Sequence, residues 1–241
     1  MKILVTGSNG LLGQKLTELI EQDGRVYLIA TARGSSVLAI KSGEFHSLDI
    51  TDAHATDRVF SQTQPDVVIN TAAMTNVDQC ESEKEACWKA NVTSVANLIS
   101  SCKKYNSHLV HVSTDFIFDG SHGPLDETEK PAPVNYYGES KLAAEHLVTA
   151  SGIPYAILRT VLVYGITRDM SRSNIVLWVK GSLEQGKAIQ VVNDQFRTPT
   201  LAEDLAKGCY LAALQKATGI YNISGKDFLS PYDIAIQTAE Y

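Results

Sequence analysis

Short unbroken apolar runs recur along this chain, each followed by a turn and then by apolar positions at helical spacing. The first run is Ile3, Leu4 and Val5. A run without alternation is the pattern of a strand covered on both faces, as in a parallel sheet. Leu12, Leu16, Leu19 and Ile20 then fall on one helical stripe, with Glu18, Glu21 and Gln22 opposite. Further strands are predicted at 26–31, 45–48, 67–69, 109–112 and 155–159, with a short apolar segment at 161–164 close behind. Between them lie a helix capped by Asp52 and carrying Val59 and Phe60, and a long helical stretch with Trp88, Val92, Val95, Leu98 and Ile99 on one side. Asn91 on that stretch is an amide among apolar neighbours and by itself says little. Residues 119–134 read as a loop, and Asn135 caps a helix containing residues 136–141. Downstream the pattern predicts a polar loop at 165–174 and a helix through Ile175, Trp178, Val179 and Leu183. A strand at 189–192, a polar turn at 193–200, a helix over 201–214, a strand at 219–224 and a helix opening at Pro231 follow.

Gly7, Gly10 and Gly13 stand between the first strand and the first helix. The tight turn needs φ > 0, which Gly7 adopts without Cβ strain. Gly10 lets the backbone approach a pyrophosphate, for which the helix N-terminus supplies amide donors, and Gly13 lets the helix pack closely on the strand. Strand, glycine triplet and helix in this order favour dinucleotide binding over an ordinary loop. The alternation of strands and helices then predicts an α/β fold, a Rossmann-type doubly wound parallel sheet with a smaller C-terminal substrate lobe. The expected division is 1–160 for the NAD(P)-binding domain and 161–241 for the substrate lobe, with helical segment 201–217 packing back on the former. The last helix has barely begun at Tyr241, so the lobe is expected to be incomplete at its C-terminus.

The second strand leads into Thr31-Ala32-Arg33-Gly34-Ser35-Ser36. An acid here would accept bonds from the ribose 2′-hydroxyl of NAD; none is present. Arg33 is instead suited to a 2′-phosphate, so NADPH is the expected cofactor, with NADH as the second option. Asp49 and Ile50 fall at the carboxyl edge of the sheet, where an adenine ring sits. Small residues in Asn70-Thr71-Ala72-Ala73-Met74 would let a cofactor lie across that edge, although plain packing accounts for them equally well.

With 241 residues, 44% of them hydrophobic, the chain suits one large domain or one with a small added lobe. A formal net charge of −6 argues against a nucleic-acid surface. No apolar run reaches membrane-spanning length, and a strand at residue 3 leaves no room for a signal peptide. Cytoplasmic residence, no membrane partner and no nucleic-acid partner are expected. Cys80, Cys87, Cys102 and Cys209 lack zinc-ligand spacing and read as reduced, small hydrophobes; no metal site is expected.

Ser113-Thr114-Asp115 stands at the end of the fifth strand, on the crevice side where open α/β sheets bind ligands. Tyr137 and Lys141 lie four apart on one helix and face the same way. A phenol is a poor acid near neutrality, and an ammonium one turn away stabilises its phenolate. The pair alone is common, but behind a nucleotide loop and a hydroxyl-bearing strand end it points to proton transfer.

The ordered set Gly7-x-x-Gly10-x-x-Gly13, Asp49-Ile50, Asn70-Thr71-Ala72-Ala73, Ser113-Thr114-Asp115, Tyr137-x-x-x-Lys141 and Gln195-x-x-x-Pro199-Thr200 resembles the extended short-chain dehydrogenase/reductases. Within them it resembles the dTDP-4-dehydrorhamnose reductase family, most specifically in residues 112–120. That resemblance spans essentially the whole chain. It implies hydride transfer from NAD(P)H to the 4-keto group of dTDP-4-dehydro-L-rhamnose, a nucleotide sugar. It implies that Thr114 hydrogen-bonds the keto oxygen, Tyr137 gives the proton, and Lys141 holds the nicotinamide ribose and lowers the tyrosine pKa. The expected cofactor contacts are Gly7, Asn9, Gly10, Leu11, Leu12, Gly13, Arg33, Asp49, Ile50, Ala72, Ala73 and Met74, alongside Tyr137 and Lys141. Thr75, Val77, Thr114, Asp115 and Phe116 are assigned to the sugar nucleotide, and Arg197 is expected to contact it as well. A homodimer is among the expected assemblies.

Two positions depart from the family. Leu162 stands where a tryptophan is usual, and Arg197-Thr198 replaces a small pair before Pro199. Arg197 is closer to the related regulatory β subunit of methionine adenosyltransferase, a nucleotide-binding partner protein. A non-catalytic subunit of that kind, or another sugar-nucleotide reductase or epimerase, is the alternative reading. The missing acid after Thr31 counts against an epimerase that retains NAD.

Overall fold

The computed structural model describes residues 1–168 and 174–241. The predicted loop at 165–174 is described up to Arg168 and from Asn174; residues 169–173 lie outside the described residues. In chain order the elements are β1 (Lys2–Thr6), α1 (Leu11–Asp23), β2 (Tyr27–Ala32), β3 (Gly43–Ser47), α2 (Ala53–Thr63) and β4 (Val67–Asn70). Then come α3 (Val77–Ser82), α4 (Lys84–Trp88), α5 (Ser94–Tyr105), β5 (His108–Thr114), α6 (Tyr136–Ala150), β6 (Tyr155–Thr160) and β7 (Val163–Tyr164). The chain continues through α7 (Ile175–Glu184), β8 (Thr200–Leu201), α8 (Ala202–Gln215), β9 (Gly219–Ile223) and α9 (Pro231–Ala239).

Seven strands pair in parallel in the order β3-β2-β1-β4-β5-β6-β9. The unbroken apolar runs follow from this arrangement. Successive side chains point to opposite faces, and both faces are covered. Ile3 and Val5 pack with Leu16, Leu205 and Cys209 on one side, whereas Leu4 packs with Phe60, Leu98 and Val148 on the other. The strand order turns back between β1 and β4, so the carboxyl ends of these strands frame the crevice. Helix α8 packs against α1, and Leu205, Ala206, Cys209 and Ala213 join the core on that face. β9 falls in the stretch assigned to the smaller lobe, yet it runs in register with β6, Ala156 opposite Gly219.

Two local expectations change. The helical stretch before β5 is not continuous: Glu83 separates α3 from α4, and a π-turn at Lys89–Thr93 joins α4 to α5. Trp88 consequently stays 42% exposed rather than joining the buried stripe. No strand forms at 189–192. An apolar run becomes a strand only beside a hydrogen-bonding neighbour, and here Val192 O accepts a single bond from Tyr232 N–H at the start of α9. All four cysteines are free and buried, and burial pushes the Cys102 and Cys209 thiols up to about 12. Among the described residues no helix is long and apolar enough to cross a membrane.

Candidate active site

The glycine turn forms one wall. Gly7 has φ +68° and Gly10 N–H donates to Gly7 O at 2.9 Å. A Cβ on Gly13 would lie 2.1 Å from Gly7 O, so only glycine lets α1 sit this close to β1. Gly10 is exposed and begins α1 with no side-chain cap and no acid in the first turn. By contrast α2, α6 and α9 are capped by Asp52, Asn135 and Ser230. The uncapped amides of α1 and its positive dipole end are thus directed at the crevice, which suits a pyrophosphate. Leu12 packs toward the core, and Leu11 is half-buried beside it.

Asn9 is committed elsewhere in the chain. Its Nδ2 donates to Ser35 O at 2.8 Å and its Oδ1 accepts from Val37 N–H at 3.1 Å, so it fastens the loop after β2 to the glycine turn. Arg33, exposed on that loop, lies near Asp49. Burial pushes the Asp49 carboxyl up, but a bond from Thr51 N–H, with Arg33 and Lys89 nearby, leaves it below the usual range. Ile50 is buried beneath this edge.

Ala72, Ala73, Met74 and exposed Thr75 follow β4, and Val77 opens α3. Asn91, in the π-turn, clamps this segment. Its Oδ1 accepts from Met74 N–H at 2.8 Å, and its Nδ2 donates to Met74 O at 3.0 Å and to Ser140 Oγ at 3.0 Å. Ser140 Oγ in turn donates to Tyr137 O at 2.7 Å. One buried amide therefore ties the crevice segment to the helix carrying Tyr137 and Lys141. In the sequence an amide amid apolar neighbours is the one local sign of this clamp, and by itself it says little.

Thr114 ends β5 and caps a short 3-10 turn, Asp115–Ile117, by accepting from Phe116 N–H at 3.2 Å. Its hydroxyl donates to Asp115 Oδ1 at 3.1 Å. Burial raises the Asp115 carboxyl, opposed by Thr114 and by Arg197, whose Nε lies 3.9 Å from Asp115 Oδ2. Arg197 also lies over the Phe116 ring and bridges in backbone to Leu229. The Phe116 ring meets Tyr137 edge-on, centroids 5.7 Å apart. A Cβ on Gly138 would lie 2.1 Å from Phe116 O, so this glycine sets how closely α6 approaches the turn.

Tyr137 is 8% and Lys141 3% exposed. Lys141 Nζ donates to Val112 O at 2.7 Å and lies 3.4 Å from His111 Nε2. Burial brings the Lys141 amine down to about 8, against the pull of Glu145 and Cys87. Leu162 takes φ +38°, a left-handed conformation unusual for leucine. Among the described residues no three His, Cys, Asp or Glu side chains cluster as a metal site. The Ser8 hydroxyl after β1 and the Ser113 hydroxyl on β5 are buried with no bonded partner. Glycine turn, strand-end hydroxyls and the Tyr137–Lys141 pair thus converge; Asn9 and Arg197 have protein partners.

The chain is similar to known proteins along nearly its whole length. The family described as the RmlD substrate binding domain matches residues 1–240. The chain is 34% identical to dTDP-4-dehydrorhamnose reductase of Mycobacterium tuberculosis over 86% of its own length and 64% of the reductase. It is 28% identical, with a TM-score of 0.86, to dTDP-4-dehydrorhamnose reductase of Bacillus anthracis in complex with NADP, over all of this chain and 80% of that one. It is also 27% identical to methionine adenosyltransferase 2 subunit beta of Pongo abelii, over 99% of this chain and 71% of the subunit. With the match spanning every element that builds the crevice, the chain belongs to the RmlD family of extended short-chain dehydrogenase/reductases.

Proposed function

We propose that this chain reduces the 4-keto group of a deoxysugar nucleotide, with dTDP-4-dehydro-L-rhamnose as substrate and NADPH as the preferred cofactor. The chain is a nicotinamide-dependent oxidoreductase, in keeping with its reductase relatives and the NADP complex among them. The observation that carries the finer reading is the meeting of Thr114, Phe116 and the Tyr137–Lys141 helix at the end of β5.

The nicotinamide, when bound, supplies the hydride for carbon C4. Thr114 accepts from Phe116 N–H and donates to Asp115, which supports a role in which its O–H turns to a keto oxygen. Tyr137 gives the proton that completes the alcohol, and Lys141 steadies the resulting phenolate. The uncapped start of α1 receives the pyrophosphate, and Arg33 receives the 2′-phosphate. Residues 1–160 form the cofactor domain and 161–241 the sugar side, except that α8 and β9 pack with the cofactor domain.

Incubating the chain with NADPH and dTDP-4-dehydro-L-rhamnose tests this. One NADPH consumed per dTDP-L-rhamnose formed is expected, and bound NADPH with no oxidation would overturn it. The latter outcome would favour a regulatory subunit, a reading supported by Arg197 and by the match to methionine adenosyltransferase 2 subunit beta.

A further inference from the structure

Behind Lys141, on the sheet side, three buried polar residues stand shoulder to shoulder. Register places Thr6 of β1 opposite Asn70 of β4, and Asn70 opposite His111 of β5. All three are at most 1% exposed. Buried polar groups on the central strands of a parallel sheet cost stability unless each is bonded. Here each one is, and in a single direction. Ala72 N–H donates to Thr6 Oγ1 at 3.4 Å, and Thr6 Oγ1 donates to Asn70 Oδ1 at 2.6 Å. Asn70 Nδ2 lies 3.1 Å from His111 Nδ1, and His111 Nε2 lies 3.4 Å from Lys141 Nζ.

The Asn70 amide fixes the direction. Its Oδ1 can only accept, so the Thr6 hydroxyl, which itself accepts from Ala72 N–H, gives its own proton to Asn70 Oδ1. The Asn70 amide then offers an N–H to His111 Nδ1. A neutral imidazole accepting at Nδ1 carries its proton on Nε2, the nitrogen that faces the lysine. We propose, building on the roles given above to Tyr137 and Lys141, that His111 is a positioning residue: a one-way series of hydrogen bonds from Ala72 N–H ends in an imidazole N–H that faces the Lys141 amine and weakens its hold on a proton. An N–H directed at an amine bonds the neutral form and opposes the ammonium.

Other groups around the lysine act with or against this. Glu145 on the same helix favours the ammonium but is itself bound by Arg159, Nη2 to Oε2 at 2.8 Å. Cys87 of α4 acts in the same sense as Glu145, and Tyr137 stands one turn away on α6. Burial lowers Lys141 first, and burial followed by Lys141 keeps His111 well below its ordinary value, hence neutral. The consequence is chemical. The ammonium of an amine that titrates at about 8 passes its proton to the tyrosinate left after each turnover more favourably than an ordinary lysine would, and the amine then takes another proton from water.

The test is nitrogen and carbon NMR on the full chain labelled at histidine and lysine. At pH 7, His111 is expected to show a protonated Nε2 and an unprotonated Nδ1; the opposite tautomer overturns the proposal. His111→Leu is expected to raise the Lys141 titration midpoint by about one pH unit, and His111→Gln, which can accept from Asn70 and donate to Lys141, to return it. A midpoint that is unmoved or lowered in the leucine variant also overturns it. Should that variant fail to fold, the wild-type tautomer alone decides. None of these readings needs turnover, so failure of the reductase assignment would leave them intact. Where turnover is found, its alkaline limb should move with the midpoint.

Discussion

Tyr137 is a weak acid by nature, and the residues around it determine what it can do. Phe116 packs edge-on against its ring, and Lys141 follows one helical turn later at 3% exposure. Tyr137→Phe removes only the hydroxyl, so turnover should fall by about a thousandfold or more while cofactor affinity stays nearly unchanged. Equilibrium cofactor binding measured beside steady-state rates checks both halves. Lys141 gives a second, independent prediction. Its ordinary value of 10.5 falls to about 8 in the folded chain. Between those values the unfolded chain binds a proton that the folded chain does not, so stability rises with pH through that window. Lys141→Met lacks this dependence. Its stability relative to wild type should be most favourable below pH 8 and decline by about 3 kcal/mol as pH approaches 10.5. Denaturant titrations at pH 7 and pH 10 compare them, and a constant difference would contradict the assigned burial effect.

Elements set these residues against one another, and here some features were legible in sequence and others were not. The glycine triplet, the apolar strands and the Tyr137–Lys141 pair are local patterns, each contained within a few residues. Thr6, Asn70 and His111 are separated by 64 and 41 residues and meet only through strand register, which no local pattern encodes. The Asn91 clamp is hidden for the same reason, since Met74 is 17 residues away. The strand expected at 189–192 failed in the opposite way: the apolar run is present, but its ladder partner is not. Close approach at Gly138 yields a prediction at this scale. Gly138→Ala would force α6 away from Phe116 O, costing about 1–3 kcal/mol. It should lower kcat far more than it weakens cofactor binding. Arg33→Ala, on the loop that Asn9 fastens, should weaken NADPH about tenfold or more and leave NADH almost untouched. Equal effects on the two cofactors would show that Arg33 does not read the 2′-phosphate.

At the scale of the whole molecule, the doubly wound sheet gathers the chemistry at one edge. The turn after β1, the loop after β2, the segment after β4 and the end of β5 all open at the carboxyl ends of the strands. α8 and β9 return from the far side of the chain to complete the layer over α1 and the pairing on β6. That architecture is shared by reductases and by sugar-nucleotide epimerases, so fold alone does not choose between them. The difference lies in where the hydride ends. The most direct measurement is turnover of dTDP-4-dehydro-L-rhamnose with NADPH deuterated at the transferring C4 position, followed by mass and NMR analysis of the sugar. The expected result is one deuterium at sugar C4 for each NADP+ formed. A sugar that turns over without deuterium, or no turnover despite bound NADPH, would contradict net reduction by this site.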